Sequence, residues 1–446
     1  MSATLHNSLF QIAICLLTGI GVIILLTSRY RVHAFFALLL ASFVVGLGIG
    51  LPVDSIIGAV KDGFGGVMKS LAVIIVLGTT LGVLLEHTGA TLVMANFIMR
   101  AVGQKRAALA MSITGFIVGL PIFCDSGFIV LSGLNQSLAK RTRTPMAIMA
   151  ASLATGLYSV HCLIPPHPGA SAAAGIVGVD FGRLILTGII VAIPAATVGY
   201  LWANFMGKRI IIPINDELDE IEENRQLPSV IKAFLPVIVP ICLIAAKSFL
   251  VIDPNVGNKW LTCLLSLGDP VLALAVGVML AFNCKGSWDK ITTGKLLQEG
   301  AEKAGGILVI IGAGGAFGAV LAAVKLGDHL SGLGLSGLGI FFPFLVAFVL
   351  KTAQGSSTVA IMTAASIVLP LMPALGLTTA DNHLYCVLAM GAGSMMISHA
   401  NDAYFWVIAR FSGLDLRTML RVYSAGTVMM GLTSILMIYI LSRFLA

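Results

Sequence analysis

Apolar runs of about 18–25 residues recur along the chain, separated by short polar stretches where Lys and Arg gather. A helix rises about 1.5 Å per residue, so each run is long enough to cross a hydrocarbon core of roughly 30 Å. The runs are continuous and do not alternate in hydropathy, which predicts spanning helices rather than a barrel. Spans are expected near 8–27, 33–52 and 67–86, with Arg29 and Arg31 in the first connection. That connection belongs in the cytoplasm and the N-terminus outside. No basic leader precedes Ser8, which points to a retained first span over a cleaved signal.

Two more basic groups, Arg100/Lys105/Arg106 and Lys140/Arg141/Arg143, lie only about 35 residues apart and belong on the same side. The segment from Ala107 to Ala139 must therefore enter and return. Pro and Gly interrupt its middle, Gly119-Leu-Pro-Ile-Phe-Cys-Asp-Ser-Gly127, so a re-entrant hairpin is predicted there. The run from Pro145 meets Pro165-Pro-His-Pro-Gly169 and resumes to about Gly178, the pattern of a broken spanning helix. A span over about 182–205 then returns to Lys208 and Arg209.

Asp216, Glu217, Asp219, Glu220, Glu222 and Glu223 crowd the stretch before Pro228 and divide the chain in half. Beyond it, spans are expected near 231–252 and 264–283, then a loop carrying Lys285, Lys290, Lys295 and Lys303, and a span near 305–325. An interrupted apolar region covers about 335–375, a run from about 384 ends in Asn401-Asp402, and a final span follows Arg410, Arg417 and Arg421.

The halves echo each other. At an offset of 236, Ile74, Ile75, Gly78, Gly82 and Leu85 fall on Ile310, Ile311, Gly314, Gly318 and Leu321, and His161 falls close to the register of His399. Five crossings per half force the second half to enter with the opposite orientation. The expected fold is thus an all-α polytopic membrane protein of two inverted repeats, each with about five crossings and one re-entrant hairpin. Residues 1–209 form the first repeat, 210–229 an acidic cytoplasmic linker and 230–446 the second repeat.

Composition agrees with this reading. Of 446 residues, 58% are hydrophobic and 11% charged, against about 45–50% and about 25% in soluble domains. The formal charge of +7 sits in the loops, where it reports membrane orientation and not nucleic-acid binding. Seven scattered cysteines without a Cys-x-x-Cys pair indicate neither a disulfide framework nor a metal site. No GxxxxGK[ST] loop or HExxH motif is present, so ATP-driven pumping and metalloprotease chemistry are not indicated. A transporter of this kind draws on an ion gradient and needs no cofactor. A passive channel and a membrane-embedded enzyme are the competing classes, separated by uphill transport and by chemical change in the substrate.

Candidate chemistry lies at the interruptions. Asp125, in Phe123-Cys-Asp-Ser-Gly127, costs about 2.5–3.5 kcal/mol at a helix centre and so calls for a purpose, as a proton acceptor, a helix cap or both. Its neighbours Ser126 and Gly127 belong to the same cluster. Gly355, Ser356, Ser357 and Thr358 open an apolar helix in the second half, where hydroxyls and free N–H groups suit a carboxylate. Ser and Thr also pack in membranes without a functional role. His161 and His167 flank Ile164-Pro-Pro, and His399, Asn401 and Asp402 form the matching polar group; each is a proton relay or a hydrogen-bonded interior residue. Glu86, His87 and Lys351 read as interfacial or snorkelling groups. Gly312 to Gly318 resembles a dinucleotide loop only superficially, since it lies within a span; close helix packing through Gly78/Gly82 and Gly314/Gly318 accounts for it.

An ordered set of motifs carries a family resemblance nearly end to end. His33-Ala-Phe-Phe-Ala-Leu, Gly65-Gly66, Val160-His-Cys-Leu-Ile-Pro-Pro-His-Pro-Gly169, Ile310-Ile-Gly-Ala-Gly-Gly-Ala-Phe317 and Gly355-Ser-Ser-Thr-Val-Ala360 occur in sequence. In these the chain resembles the gluconate permease (gluconate:proton symporter) family, which includes gluconate, idonate and D-serine permeases. The resemblance implies proton symport of a small hydroxylated carboxylate across the bacterial inner membrane, in an ion-transporter fold with two hairpins and as a homodimer. Sodium coupling stays open, because unwound carbonyls near Pro165 and Gly355 suit that ion. One departure bears on the substrate: the gluconate and D-serine branches carry Phe-x-Glu-Val-Gly where this chain has Phe123-Cys-Asp-Ser-Gly127. The acid is one methylene shorter, with a hydroxyl beside it. Val160-His-Cys is close to the D-serine branch, which keeps a hydroxy amino acid in play.

Overall fold

The computed structural model describes residues 9–209, 227–249, 266–323 and 337–444. The acidic run from Asp216 to Glu223 lies outside these, as do the end of the 231–252 span and the beginnings of the 264–283 and 335–375 regions.

Among the described residues every regular element is helical. The first half comprises α1 (Leu9–Ile24), α2 (Ala34–Gly48), α3 (Val53–His87), α4 (Ala90–Val102), α5 (Ala107–Gly119), α6 (Cys124–Thr142), α7 (Met146–Leu163), α8 (Pro168–Val177) and α9 (Phe181–Gly207). The second comprises α10 (Val230–Phe249), α11 (Pro270–Phe282), α12 (Lys290–Ala323), α13 (Phe341–Gln354), α14 (Ser357–Val368), α15 (Ala380–Met395), α16 (Ala403–Ser412) and α17 (Leu416–Phe444). Among the described residues six helices are long and apolar enough to cross a membrane, counting α7 and α8 as one broken helix.

The order of elements repeats. Ala34, which opens α2, and Pro270, which opens α11, are 236 positions apart. The long α3 and α12 correspond, as do the short pairs α5–α6 and α13–α14 and the interrupted pairs α7–α8 and α15–α16.

Two boundaries differ from the sequence reading. The third span does not start near 67, because α3 begins at Val53 and runs for 35 residues. Likewise Lys290, Lys295 and Lys303 do not lie in a loop; they ride the first half of α12, a helix of 34 residues. The reason is local. Asp289 Oδ1 accepts the N–H of Thr292 at 2.8 Å and so starts a helix well before the apolar run begins. At α3 no side chain caps the start, but Pro52 stands at the N-cap and Asp54 in the first turn, where an acid suits the positive end of the helix. At about 1.5 Å per residue each helix is roughly 50 Å long, so both exceed the hydrocarbon thickness.

These two helices pack along each other and cradle the interrupted elements. The paired glycines face inward. A Cβ on Gly78 would lie 3.2 Å from Pro166 in the α7–α8 break, and one on Gly82 would lie 3.0 Å from the Pro121 carbonyl at the α5–α6 turn. On α12, Gly318 meets Ser366 of α14 at 3.2 Å, and Ser366 donates its hydroxyl to the Gly314 carbonyl at 2.6 Å. The GxxxG spacing thus brings α3 against the irregular backbone of the first half and α12 close against helix α14 of the second.

Gly82→Leu should displace the α5–α6 turn and lower the thermal unfolding temperature of the detergent-purified protein, by a cost of about 1–3 kcal/mol for overpacking. Gly65→Leu, at a position with open space around it, should leave that temperature unchanged. Equal effects of the two variants would remove the glycine contact from the account.

Candidate functional site

Four helices begin at interruptions, and their N-termini converge. The first is α6, entered through extended Phe123; the Gly127 N–H reaches back to the Phe123 carbonyl at 2.8 Å. The second is α14. Gly355 closes α13 with φ +82, a left-handed conformation that suits glycine, and Ser356 then caps α14 by accepting the Val359 N–H at 3.3 Å. Pro168 opens α8 at a position that needs no donor. Asp402 caps α16, its Oδ1 accepting the Tyr404 N–H at 3.0 Å.

A cavity of about 490 Å³ lies among these ends. It is lined by Cys124, Asp125 and Ser126 from α6, by Gly355 to Val359 from α14, by Asp402 to Tyr404 from α16, and by Pro168 of α8. Tyr158 and His161 of α7, Lys303 of α12, Gln354 and Asn401 add to the polar wall, while Ile307, Ile310 and Met362 supply an apolar side. Each helix N-terminus carries roughly half a positive charge and unsatisfied N–H groups, so the chamber is suited to an anion.

Asp402 on this wall belongs to a buried ion pair. Lys351 of α13 is 0% exposed, and its Nζ donates to Asp402 Oδ2 at 2.6 Å and to the Gly355 carbonyl. Its ammonium also lies 5.7 Å from the centre of the Tyr158 ring. Asp402 Oδ2 accepts a hydroxyl from Ser398 as well, and Ser424 of α17 donates to the Ser398 carbonyl. This carboxylate therefore has an ammonium, a hydroxyl and an amide, the full set that a buried charge requires. Asp125 differs: its recorded partner is the Cys124 thiol, at 3.8 Å. It caps no helix through its side chain.

The histidines divide between wall and support. His161 Nε2 lies 3.5 Å from Thr358 Oγ1, at the limit of a hydrogen bond, and its Nδ1 has no protein partner. Its ring stacks on Tyr158, whose hydroxyl donates to the Ser394 carbonyl at 3.1 Å and so ties α7 to α15. His167 Nε2 is 2.6 Å from the Gly119 carbonyl, which can only accept, so that nitrogen carries the proton. This bond joins the α7–α8 break to the α5–α6 turn.

A family model, described as GntP family permease, matches residues 11–444. The chain belongs to the GntP permease family. The chain is 34% identical to a gluconate permease of Pseudomonas aeruginosa, over 96% of this chain and 97% of that one. It is 32% identical to the D-serine transporter DsdX of Escherichia coli O6:H1, over 95% and 96%. It is also 32% identical to the high-affinity gluconate transporter of Escherichia coli K12, over 91% and 93%. Among solved structures, the Alcanivorax borkumensis YdaH transporter matches with a TM-score of 0.66 and 14% identity, over 92% of this chain and 98% of that one. Neisseria gonorrhoeae MtrF, described with a class of antimetabolite efflux pumps, gives 0.64 and 15%, over 99% and 96%. At those identities the likeness concerns the fold. This GntP permease is a multi-pass membrane transporter and not an enzyme.

Of the residues singled out in the sequence, Asp125, Ser126, His161, Gly355, Ser356, Ser357, Thr358, Asn401 and Asp402 come together on the cavity wall. Gly127, His167 and His399 do not. Gly127 packs one turn inside α6 against Leu157. His167 is 2% exposed and braces the first turn as described. His399 Nε2 is 3.0 Å from the Thr352 carbonyl, which Asn401 Nδ2 also approaches at 2.8 Å, so both hold the C-terminus of α13.

Lys351 corrects the sequence reading. It does not snorkel, because Asp402 sits within reach of a lysine stem buried in the protein interior. The cost argument applied to Asp125 holds equally for a lysine four residues before Gly355, and Asp402 was the carboxylate available to pair with it. Gln354 was also passed over, although it lines the cavity with both amide atoms lacking protein partners.

Lys351→Met should strand Asp402 without its cation and cost about 3–5 kcal/mol, lowering the unfolding temperature in detergent. The double variant Lys351→Met/Asp402→Asn should recover most of that loss, because it removes both charges together. Additive losses in the two single variants and the double variant would mean the pair is not coupled.

Proposed function

We propose that this GntP permease is a proton-coupled symporter that brings gluconate or a related small hydroxylated carboxylate into a bacterial cell across the inner membrane. The observation that carries this reading is the convergence of four helix N-termini on one cavity that also presents hydroxyls. In it, the substrate carboxylate lies against the N–H groups that open α14, and its hydroxyls meet Ser126, Ser356, Ser357, Thr358 and the Gln354 amide. The gluconate permease of Pseudomonas aeruginosa, similar over nearly the whole chain, supports the substrate class.

Asp125 carries the coupled proton in this scheme. It lines the cavity, it lacks a cation partner, and a neutral form there removes a charge that would repel the arriving carboxylate. Asp402 is less suited, since Lys351, Ser398 and Tyr404 already stabilise its charged form. Protons are favoured over sodium because the Gly355 carbonyl, one of the unwound oxygens available to a metal ion, is taken by Lys351.

The architecture proposed is an inverted repeat, residues 1–209 and 230–446 joined by the linker 210–229, with α5–α6 and α13–α14 as re-entrant hairpins. The repeated element order supports it. So does length: α5 has 13 residues and α13 has 14, each about 20 Å of helix and too short for a crossing of roughly 30 Å.

One observation favours a second reading. An unpaired carboxylate beside an anion site also fits a zwitterion, and the D-serine transporter of Escherichia coli is a relative of similar identity. Asp125 then binds the substrate ammonium.

Uptake by proteoliposomes separates these readings. Labelled gluconate should accumulate under an inward proton gradient but not under a sodium gradient, with glycerate, other aldonates and D-serine as competitors. Asp125→Asn should insert normally, still exchange gluconate across the membrane and lose uphill accumulation. Full proton-driven accumulation by that variant would take Asp125 out of the coupling scheme. Uptake of D-serine in place of gluconate, with affinity lost in Asp125→Asn, would favour the second reading.

A further inference from the structure

A second cavity, of about 450 Å³, lies apart from the chamber, and its size falls within the roughly 300–1,000 Å³ of small-ligand sites. It forms where three helices reach the limit of their apolar runs. His87 and Thr88 at the end of α3, Leu227 to Ser229 before α10 with Lys232 in its first turn, and Cys284 to Ser287 after α11 line it. The basic clusters put all three ends on the cytoplasmic side. The cavity therefore sits at the depth of the headgroups of the cytoplasmic leaflet.

Its charge has one sign. Lys232 and Lys285 line it together with Ser229 and Ser287, and no Asp or Glu does. Neither lysine makes an ion pair among the described residues. The nearest acids along the chain are engaged elsewhere: Glu86 interacts with Lys303 and Glu299 on α12, and Asp289 caps α12 through the Thr292 N–H. The backbone under the lysines is tied together. The Cys284 thiol donates to the Lys232 carbonyl at 3.2 Å, and Trp288 Nε1 donates to the Phe282 carbonyl at 2.7 Å. The Trp288 ring lies 5.3 Å from Lys285 Nζ, at the interfacial level where tryptophan is common.

One wall leads into the bilayer. Leu227, at the cavity, is 47% exposed, and Ile231, Leu235 and Ile238 continue from it as an exposed stripe on one face of α10. We propose that this cavity binds an anionic phospholipid, its phosphate between Lys232 and Lys285 and its acyl chains along the α10 stripe. Basic pockets between transmembrane helices on the cytoplasmic side hold lipid headgroups in this way. A soluble phosphate uses the same two ammonium groups but gains nothing from the stripe, and the lipid uses both. The site does not depend on which substrate the permease carries.

The test titrates phosphatidylglycerol, phosphatidylcholine or inorganic phosphate into the detergent-purified protein and reads binding from the rise in unfolding temperature, with bound lipid counted by native mass spectrometry. The parent should bind phosphatidylglycerol more tightly than phosphatidylcholine. Lys232→Gln/Lys285→Gln should weaken phosphatidylglycerol binding about tenfold, as expected when two lysines near the membrane surface are lost. Lys290→Gln/Lys295→Gln, which removes the same charge from exposed positions outside the cavity, should stay close to the parent, as should Lys232→Arg/Lys285→Arg. Ile231→Ser/Leu235→Ser should weaken the lipid and leave inorganic phosphate unaffected. All these positions are exposed, and size-exclusion profiles check that each variant folds. Equal losses in the two Lys→Gln pairs would mean a diffuse surface charge and overturn the proposal. So would a parent with no preference for phosphatidylglycerol. Inorganic phosphate bound by the parent, lost in Lys232→Gln/Lys285→Gln and not displaced by phosphatidylglycerol, would assign the cavity to a soluble anion and overturn the lipid.

Discussion

A broken helix inside a membrane exposes amides and carbonyls where water is scarce, and every one of them needs a partner. This structure accepts that burden four times within one small region, at the starts of α6, α8, α14 and α16. Much of the remaining polar chemistry answers it. Ser356 and Asp402 satisfy amides, Lys351 takes the Gly355 carbonyl, and His167 takes that of Gly119. Amides left over at the chamber are what a carboxylate can use. The site is thus what remains of an accounting problem that the protein solves only in part.

The scaffold makes that arrangement possible. The irregular backbone of the first half packs against α3 where Gly78 and Gly82 leave room for it, and in the second half Gly314 and Gly318 let α12 approach helix α14 closely. The window of highest hydropathy across α7 and α8 is completely buried in protein. The broken helix is therefore surrounded by other helices rather than by lipid, as its unpaired backbone groups demand.

What was legible in the sequence follows the same physics. Pro, Gly and an isolated acid inside apolar runs are conspicuous, and they marked both turns and both breaks, along with nine residues of the cavity wall. The extended starts of α3 and α12 were not legible from hydropathy, because their first turns are polar and gain helicity from caps such as Asp289. Lys351 was misread for a related reason: a lysine near the end of an apolar run has the same sequence pattern whether it reaches for solvent or for a partner 51 residues away. Only tertiary contact separates the two cases. Lys303 was hidden by its company, one of several lysines in a stretch that looked like a loop.

The two halves fasten their turns to their breaks by different means. In the second half the α13–α14 turn is joined to the α15–α16 break by a buried ion pair. In the first half the α5–α6 turn is joined to the α7–α8 break by a neutral histidine–carbonyl bond. Pulling the first junction apart sacrifices one neutral hydrogen bond, whereas pulling the second apart separates opposite charges in a medium of low polarisability. The chamber therefore resembles a vice with one fixed jaw and one compliant jaw, and the compliant one carries Asp125.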